Sequence, residues 1–136
     1  MPLDQFPDAT LPANSRKSLT GVLSNLKGAS AEDQVARRYE REGAEVINRR
    51  WRGQSGELDL VLRKDADIIC VEVKSSSTHA KALQNLTARQ RHRIYATAEE
   101  FLGTQPLGQL TPLRLDVATV DGTGSVEILE NALGAY

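Results

Sequence analysis

Gly56-Glu57-Leu58-Asp59-Leu60-Val61-Leu62-Arg63-Lys64-Asp65-Ala66-Asp67-Ile68-Ile69-Cys70-Val71-Glu72-Val73-Lys74 is the stretch that decides how this chain folds. Two runs of strand-forming residues, Leu58 to Leu62 and Ile68 to Val73, flank Arg63 to Asp67, which is charged and rich in turn-prone Asp. The pattern predicts a β-hairpin. Alternation puts Leu58, Leu60 and Leu62 on one face of the first strand, with Glu57, Asp59 and Val61 on the other. In the second strand Ile69, Val71 and Val73 oppose Ile68, Cys70, Glu72 and Lys74. A two-residue turn at Asp65-Ala66 pairs Lys64 with Asp67, Asp59 with Glu72, and Glu57 with Lys74. Directly opposed residues share a face, with Cβ atoms roughly 5 Å apart. A four-residue loop keeps this pairing, whereas an odd loop separates Asp59 from Glu72.

Two facing carboxylates repel unless one is protonated or a cation lies between them. A hard divalent cation such as Mg²⁺ takes oxygen ligands and keeps several waters, so Asp59 and Glu72 suit it. Lys74 beside them could position water or stabilise negative charge. A solvated polar face on a half-exposed sheet gives the same alternation.

Asp59, then twelve residues, then Glu72-Val73-Lys74 resembles the D-(x)n-(D/E)-x-K signature of the restriction-endonuclease-like nucleases. Asn48-Arg49-Arg50-Trp51-Arg52, Gly56-Glu57-Leu58-Asp59, Val71-Glu72-Val73-Lys74, Leu115-Asp116-Val117 and Ile128 with Asn131-Ala132 follow in order. Together they resemble the YraN-like family of small bacterial proteins, related to archaeal Holliday junction resolvases, from about Gly28 to Ala132. The resemblance implies a restriction-endonuclease-like α/β fold, with one central mixed sheet flanked by helices in the order α-β-β-β-α-β-β. It implies a Mg²⁺- or Mn²⁺-dependent endonuclease, with DNA, including branched DNA, as substrate. Asp59, Glu72 and Lys74 would be catalytic. The cation would sit on Asp59, Glu72, the Val73 carbonyl and Glu32. The family often has a basic residue where Ser76 stands and lysine where Gln90 stands.

Length and charge set the outer limits. At 136 residues with formal net charge −1, the chain suits one domain with one core. No run of eighteen apolar residues suggests a membrane span. Met1 to Asp8 lacks the pattern of a secretory signal, so a cytoplasmic location is expected. Cys70 is the sole cysteine, and His79 and His92 are the only histidines, which leaves no zinc-ligand spacing. Arg37, Arg38, Arg41, Arg49, Arg50 and Arg52 form one basic neighbourhood, and Arg89, Arg91 and Arg93 another. Arg49, Arg52, Arg89 and Arg93 are the candidate nucleic-acid contacts. Each cluster also reads as an ordinary solvated face.

Around the hairpin the remaining elements follow from local signals. Residues 1–28 read as an N-terminal arm, with helical spacing at Leu19, Val22, Leu23 and Leu26, and residues 29–136 as the endonuclease-like domain. Ser30 is a candidate cap for a helix carrying Ala31, Val35, Ala36 and Tyr39, ending near Gly43. Ala44 to Trp51 predicts a strand, with Trp51 packing rather than stacking on a base. Gly53 to Gly56 predicts a flexible loop. Thr87-Ala88-Arg89-Gln90 predicts a capping box, and a looser helical stretch could begin near Ala80. Gln90 is thus an accessory candidate that capping alone explains. Glu57 is a second, facing Lys74. Leu113 to Val117 and Ser125 to Leu129 predict the last strands.

Two classes of function fit these residues. One is a metal-dependent nuclease, for which a homodimer would supply two sites for two strands. The other is a non-catalytic nucleic-acid-binding or interaction module that keeps the fold, which Ser76 and Gln90 favour.

Overall fold

A computed structural model describes residues 30–133. The chain divides into two compact units, Met1–Ser30 and Ala31–Tyr136, and the arm expected over residues 1–28 lies outside the described residues. Helix α1 (30–41) opens the described chain. Three strands follow, β1 (Glu45–Arg52), β2 (Glu57–Lys64) and β3 (Asp67–Ser75). Then come α2 (His79–Gln84), α3 (Ala88–Leu102), a 3-10 turn (Gly108–Leu110), β4 (Leu113–Val120) and β5 (Val126–Leu129). The expected order therefore holds except that the second helical region is two helices. Asn85 to Thr87 break it, and Thr87 restarts it with the capping box read from the sequence. Ser30 is already helical, so it is not the cap.

The five strands form one mixed sheet in chain order. Neighbours are antiparallel except β3 and β4, which run parallel. A parallel pair needs a crossover, and α2 with α3 supplies it. Helices cover both faces. On one, Val35, Ala36 and Tyr39 of α1 pack on Leu60, Leu62, Ile69 and Val71. On the other, Ile94, Ala98, Phe101 and Leu102 of α3 pack on Val61, Ile68, Cys70, Leu115 and Val117. Burial on both faces explains why β3 is apolar over Ile68–Val71 rather than strictly alternating. Trp51, half-buried, packs edge-on against Phe101 of the α3-side core, with ring centroids 5.2 Å apart.

The hairpin has the predicted register. Lys64 pairs with Asp67, Leu62 with Ile69 and Leu60 with Val71. Asp65 takes a left-handed φ of 55° in the turn, which Asp tolerates better than most residues.

One expectation fails. Leu58 does not share a face with Leu60 and Leu62: it lies in the α3-side core, and they lie in the α1-side core. Leu58 pairs with Trp51, which is also on the α3 side, and Leu60 pairs with Arg49, whose side chain reaches α1. Both strands of the β1–β2 ladder thus reverse faces at the rung between, Arg50 opposite Asp59. Arg50 has a φ of +51°, a conformation outside the β region. That backbone breaks the period-two alternation on which the sequence reading rested.

A polar anchor ties α1 to β4 on the face that α1 covers. Asp116, fully buried, accepts the Tyr39 hydroxyl at 2.7 Å and the Asn131 backbone N–H at 2.8 Å, and a two-nitrogen bond from Arg114. Its lone pairs are therefore satisfied, as a buried carboxylate requires.

Candidate functional site

The β2–β3 ladder ends at Leu60 and Val71. Beyond it, the Asp59 carboxylate accepts the backbone N–H of Val73 at 2.8 Å. A side chain thus takes the place of the next main-chain bond, and a cleft opens. It encloses about 280 Å³ and is lined by Gly56, Glu57, Asp59, Glu72, Gln90, Arg93 and Ile94. Residues from β2, β3 and the first turns of α3 meet there.

Asp59 and Glu72 are neighbours, as the register predicts. Burial first, then the charge of Asp59 and a hydrogen bond to it, push the Glu72 carboxyl up to about 9, while Lys74 pulls it down. Burial beside Asp59 therefore disfavours the charged form of Glu72. Lys74 stands 3.8 Å from Glu72 Oε1, with both side chains mostly shielded from solvent. That distance is a charge contact rather than a hydrogen bond. Asp59, Glu72 and Lys74 are thus brought together at one end of the sheet.

Glu32 approaches from α1. Burial and then the nearby Asp59 raise its pKa, and Arg50 opposes the rise. The Arg50 Nε donates to Glu32 Oε2 at 3.3 Å. Glu32, Asp59 and Glu72 consequently feel one another's charge. Among the described residues, however, no three His, Cys, Asp or Glu side chains gather closely enough to cage a metal ion. The donor set fits a hydrated Mg²⁺, which uses one or two carboxylates and keeps waters. Asp59 and Glu72 would hold it. In a strand the C=O of a residue projects to the same edge as its N–H, so the Val73 carbonyl faces the Asp59 side.

Glu57 is not paired with Lys74. It accepts from Arg52 Nη2 at 3.1 Å, its partner across the β1–β2 ladder, while the β2–β3 ladder has ended at Leu60 and Val71 and Lys74 lies by Glu72. The predicted arginines separate in the same way. Arg49 Nη1 bonds Asp33 at 2.7 Å, and Arg52 is held by Glu57. Arg89 is exposed in the first turn of α3, outside the cleft lining. Arg93 does line the cleft, and its aliphatic stem occupies the space a side chain on Gly56 would need. Gln90 also lines it, although its Oε1 caps the Thr87 N–H at 3.2 Å.

The Gly53–Gly56 loop is held by hydrogen bonds within its own backbone and to α3. The Glu100 carboxylate, reaching from α3, accepts the N–H of Gln54 at 2.7 Å and of Ser55 at 2.6 Å. A hydrogen bond from the Ser55 side chain, then the N–H bonds from Gln54 and Ser55, hold the Glu100 pKa below its ordinary value. Gly53 N–H closes the turn on the Gly56 carbonyl at 2.9 Å. A Cβ on Gly53 would collide with Glu100, so the loop sequence and the helix glutamate fit each other. No local signal marks Glu100, since its partner is forty-five residues away.

The fold and site define a mixed α/β protein with a paired-carboxylate cleft at the splayed end of a hairpin. Among the described residues, no helix is long and apolar enough to cross a membrane. The sequence model of the uncharacterised protein family UPF0102 matches residues 31–120. A UPF0102 protein of Ruegeria pomeroyi is 52% identical over 114 residues, covering 84% of this chain and 93% of that protein. One of Cereibacter sphaeroides is 52% identical over 117 residues, covering 86% and 100%. One of Dinoroseobacter shibae is 38% identical over 120 residues, covering 88% and 90%. The chain belongs to the UPF0102, or YraN-like, family.

Proposed function

We propose that this protein is a Mg²⁺- or Mn²⁺-dependent nuclease of the restriction-endonuclease-like kind, hydrolysing phosphodiester bonds of DNA, branched DNA included. The observation that carries the reading is the Asp59–Glu72 pair, two neighbouring, partly buried carboxyls, with Lys74 3.8 Å from Glu72. Burying two carboxylates together is unfavourable, and the one bond from Val73 N–H to Asp59 does not offset the crowding at Glu72. A divalent cation there would lower the pKa of bound water and offset charge on the phosphate.

The chain's own residues would act as follows. Ionised Glu72 would be an anionic ligand beside Asp59 for such a cation. The Val73 N–H fixes the Asp59 carboxylate, so its free oxygen keeps one orientation. Lys74, tethered by Glu72, orients the attacking water or stabilises charge on the phosphoryl oxygens. Arg93 and Gln90 line the cleft where the phosphodiester would enter, and positioning by such groups is sequence-independent.

A second reading, a nucleic-acid-binding module without catalysis, is favoured by Gln90, whose carbonyl is spent on the helix cap. Cleavage of linear, flapped and four-way DNA with Mg²⁺ or Mn²⁺ separates the two. The nuclease reading expects products from wild type and none from Asp59→Ala or Lys74→Ala. Binding without products would favour the module, and products from both variants would point to another site.

A further inference from the structure

Arg50 lies in β1 with a φ of +51°. For a residue that is neither Gly, Asn nor Asp, such a conformation is uncommon and costs free energy unless the surroundings impose it, and outliers of this kind gather at functional sites. Its place is specific. Counting along the β1–β2 ladder, where Arg49 pairs with Leu60 and Trp51 with Leu58, Arg50 stands opposite Asp59. It is also the rung where the strands exchange faces. In an alternating strand, Arg49 and Arg50 would point to opposite sides. Here both reach α1, Arg49 to Asp33 and Arg50 to Glu32.

The three arginines of this strand differ in what they spend. Arg49 commits a terminal nitrogen to Asp33 and Arg52 commits one to Glu57. Arg50 commits only Nε to Glu32, at the longer distance of 3.3 Å, and its side chain is 55% exposed. Among the described residues nothing bonds its two terminal nitrogens. Those nitrogens are the fork that grips a phosphate or carboxylate through two parallel bonds. Glu32 is only 14% exposed, so it acts as a fixed post that holds the fork near the Asp59 edge.

We infer that Arg50 contacts a backbone phosphate of the bound nucleic acid at the Asp59 edge of the cleft. The inference rests on the nuclease reading and adds to it a substrate-contacting residue. The left-handed backbone is what brings the guanidinium there. Arg93 would hold the strand on the α3 side and Arg50 on the α1 side, so that the phosphodiester is gripped from both.

Asparagine tolerates the left-handed region and carries no charge, so Arg50→Asn removes the guanidinium without breaking the strand. The probes are a fluorescent linear duplex and a synthetic four-way junction, with Ca²⁺ in place of Mg²⁺ so that binding is read without cleavage. Affinity is measured across a salt series on the full chain. Arg50→Asn is expected to bind both DNAs roughly tenfold more weakly, as loss of a charged contact implies. The magnitude of the log–log salt slope is expected to fall by about one. Arg50→Lys should keep the slope and recover part of the affinity. Thermal melting of Arg50→Asn at or above wild type shows that the loss is not unfolding. Wild-type affinity and slope in a folded Arg50→Asn would overturn the inference while leaving the nuclease reading intact. No salt-dependent binding of either DNA by wild type would overturn the nuclease reading itself.

Discussion

The Asp59 carboxylate accepts the Val73 backbone N–H at 2.8 Å, and that one bond ends the β2–β3 ladder and opens the cleft. Asp59 therefore shapes the site as well as charging it. Removing it has two opposing effects on stability. Asp59→Ala leaves the Val73 N–H without its partner, costing about 1–3 kcal/mol if it stays dry. It also relieves the charge crowding that raises the Glu72 pKa. The net change in urea midpoint should be small. Mn²⁺ or Mg²⁺ binding measured by calorimetry should be lost. Equal binding by wild type and Asp59→Ala would refute the metal-site reading.

Stability should fall as pH rises through the neutral range. Glu72 ordinarily titrates near 4.5 but is pushed up to about 9 by burial and by Asp59. Below 4.5 both the folded and unfolded chains hold the proton, and its stabilising contribution is complete. Between 4.5 and 9 only the folded protein holds it, so each rise in pH favours unfolding, by at most about 1.4 kcal/mol per unit for one proton. The raised Glu32 acts in the same direction. Urea unfolding from pH 5 to 9 should show the decline, and Glu72→Gln should flatten it. The corollary is that cation affinity increases toward alkaline pH, by up to about tenfold per unit, with a proton released on binding.

Glu100 should govern the entry loop. Glu100→Ala removes the acceptor of the Gln54 and Ser55 N–H groups. Hydrogen exchange at these two amides should accelerate while the α3 core amides keep wild-type protection. If the nuclease reading holds, kcat should drop, because Gly56 and Arg93 lose a fixed wall. Unchanged exchange at residues 54 and 55 would show that the loop holds itself.

Tyr39 should matter to the fold and not to the site. Tyr39→Phe deletes one of the bonds to the fully buried Asp116 and should cost about 1–2 kcal/mol in urea unfolding. Asp116→Ala should cost more, about 3–5 kcal/mol, because it strands Arg114 and the Asn131 N–H as well. Metal binding should survive Tyr39→Phe.

The hairpin and its register from Lys64–Asp67 to Leu60–Val71 were legible in the sequence. Alternation and an even turn dictate that Lys64 meets Asp67 and Leu60 meets Val71, and hence that Asp59 and Glu72 come together. The Thr87–Gln90 capping box and the α1 stripe were equally local. Such signals are readable because period and turn chemistry act over a few residues. Three features belong to the tertiary structure alone. Leu58 leaves the face of Leu60, Glu57 goes to Arg52 rather than Lys74, and Glu100 pins a loop forty-five residues earlier. Each depends on a backbone departure or on a contact between distant segments. The left-handed Arg50 has no sequence signal, because a strand arginine is ordinarily extended. Its conformation falls at the rung where both strands change faces, a relation between β1 and β2 that only the assembled sheet displays.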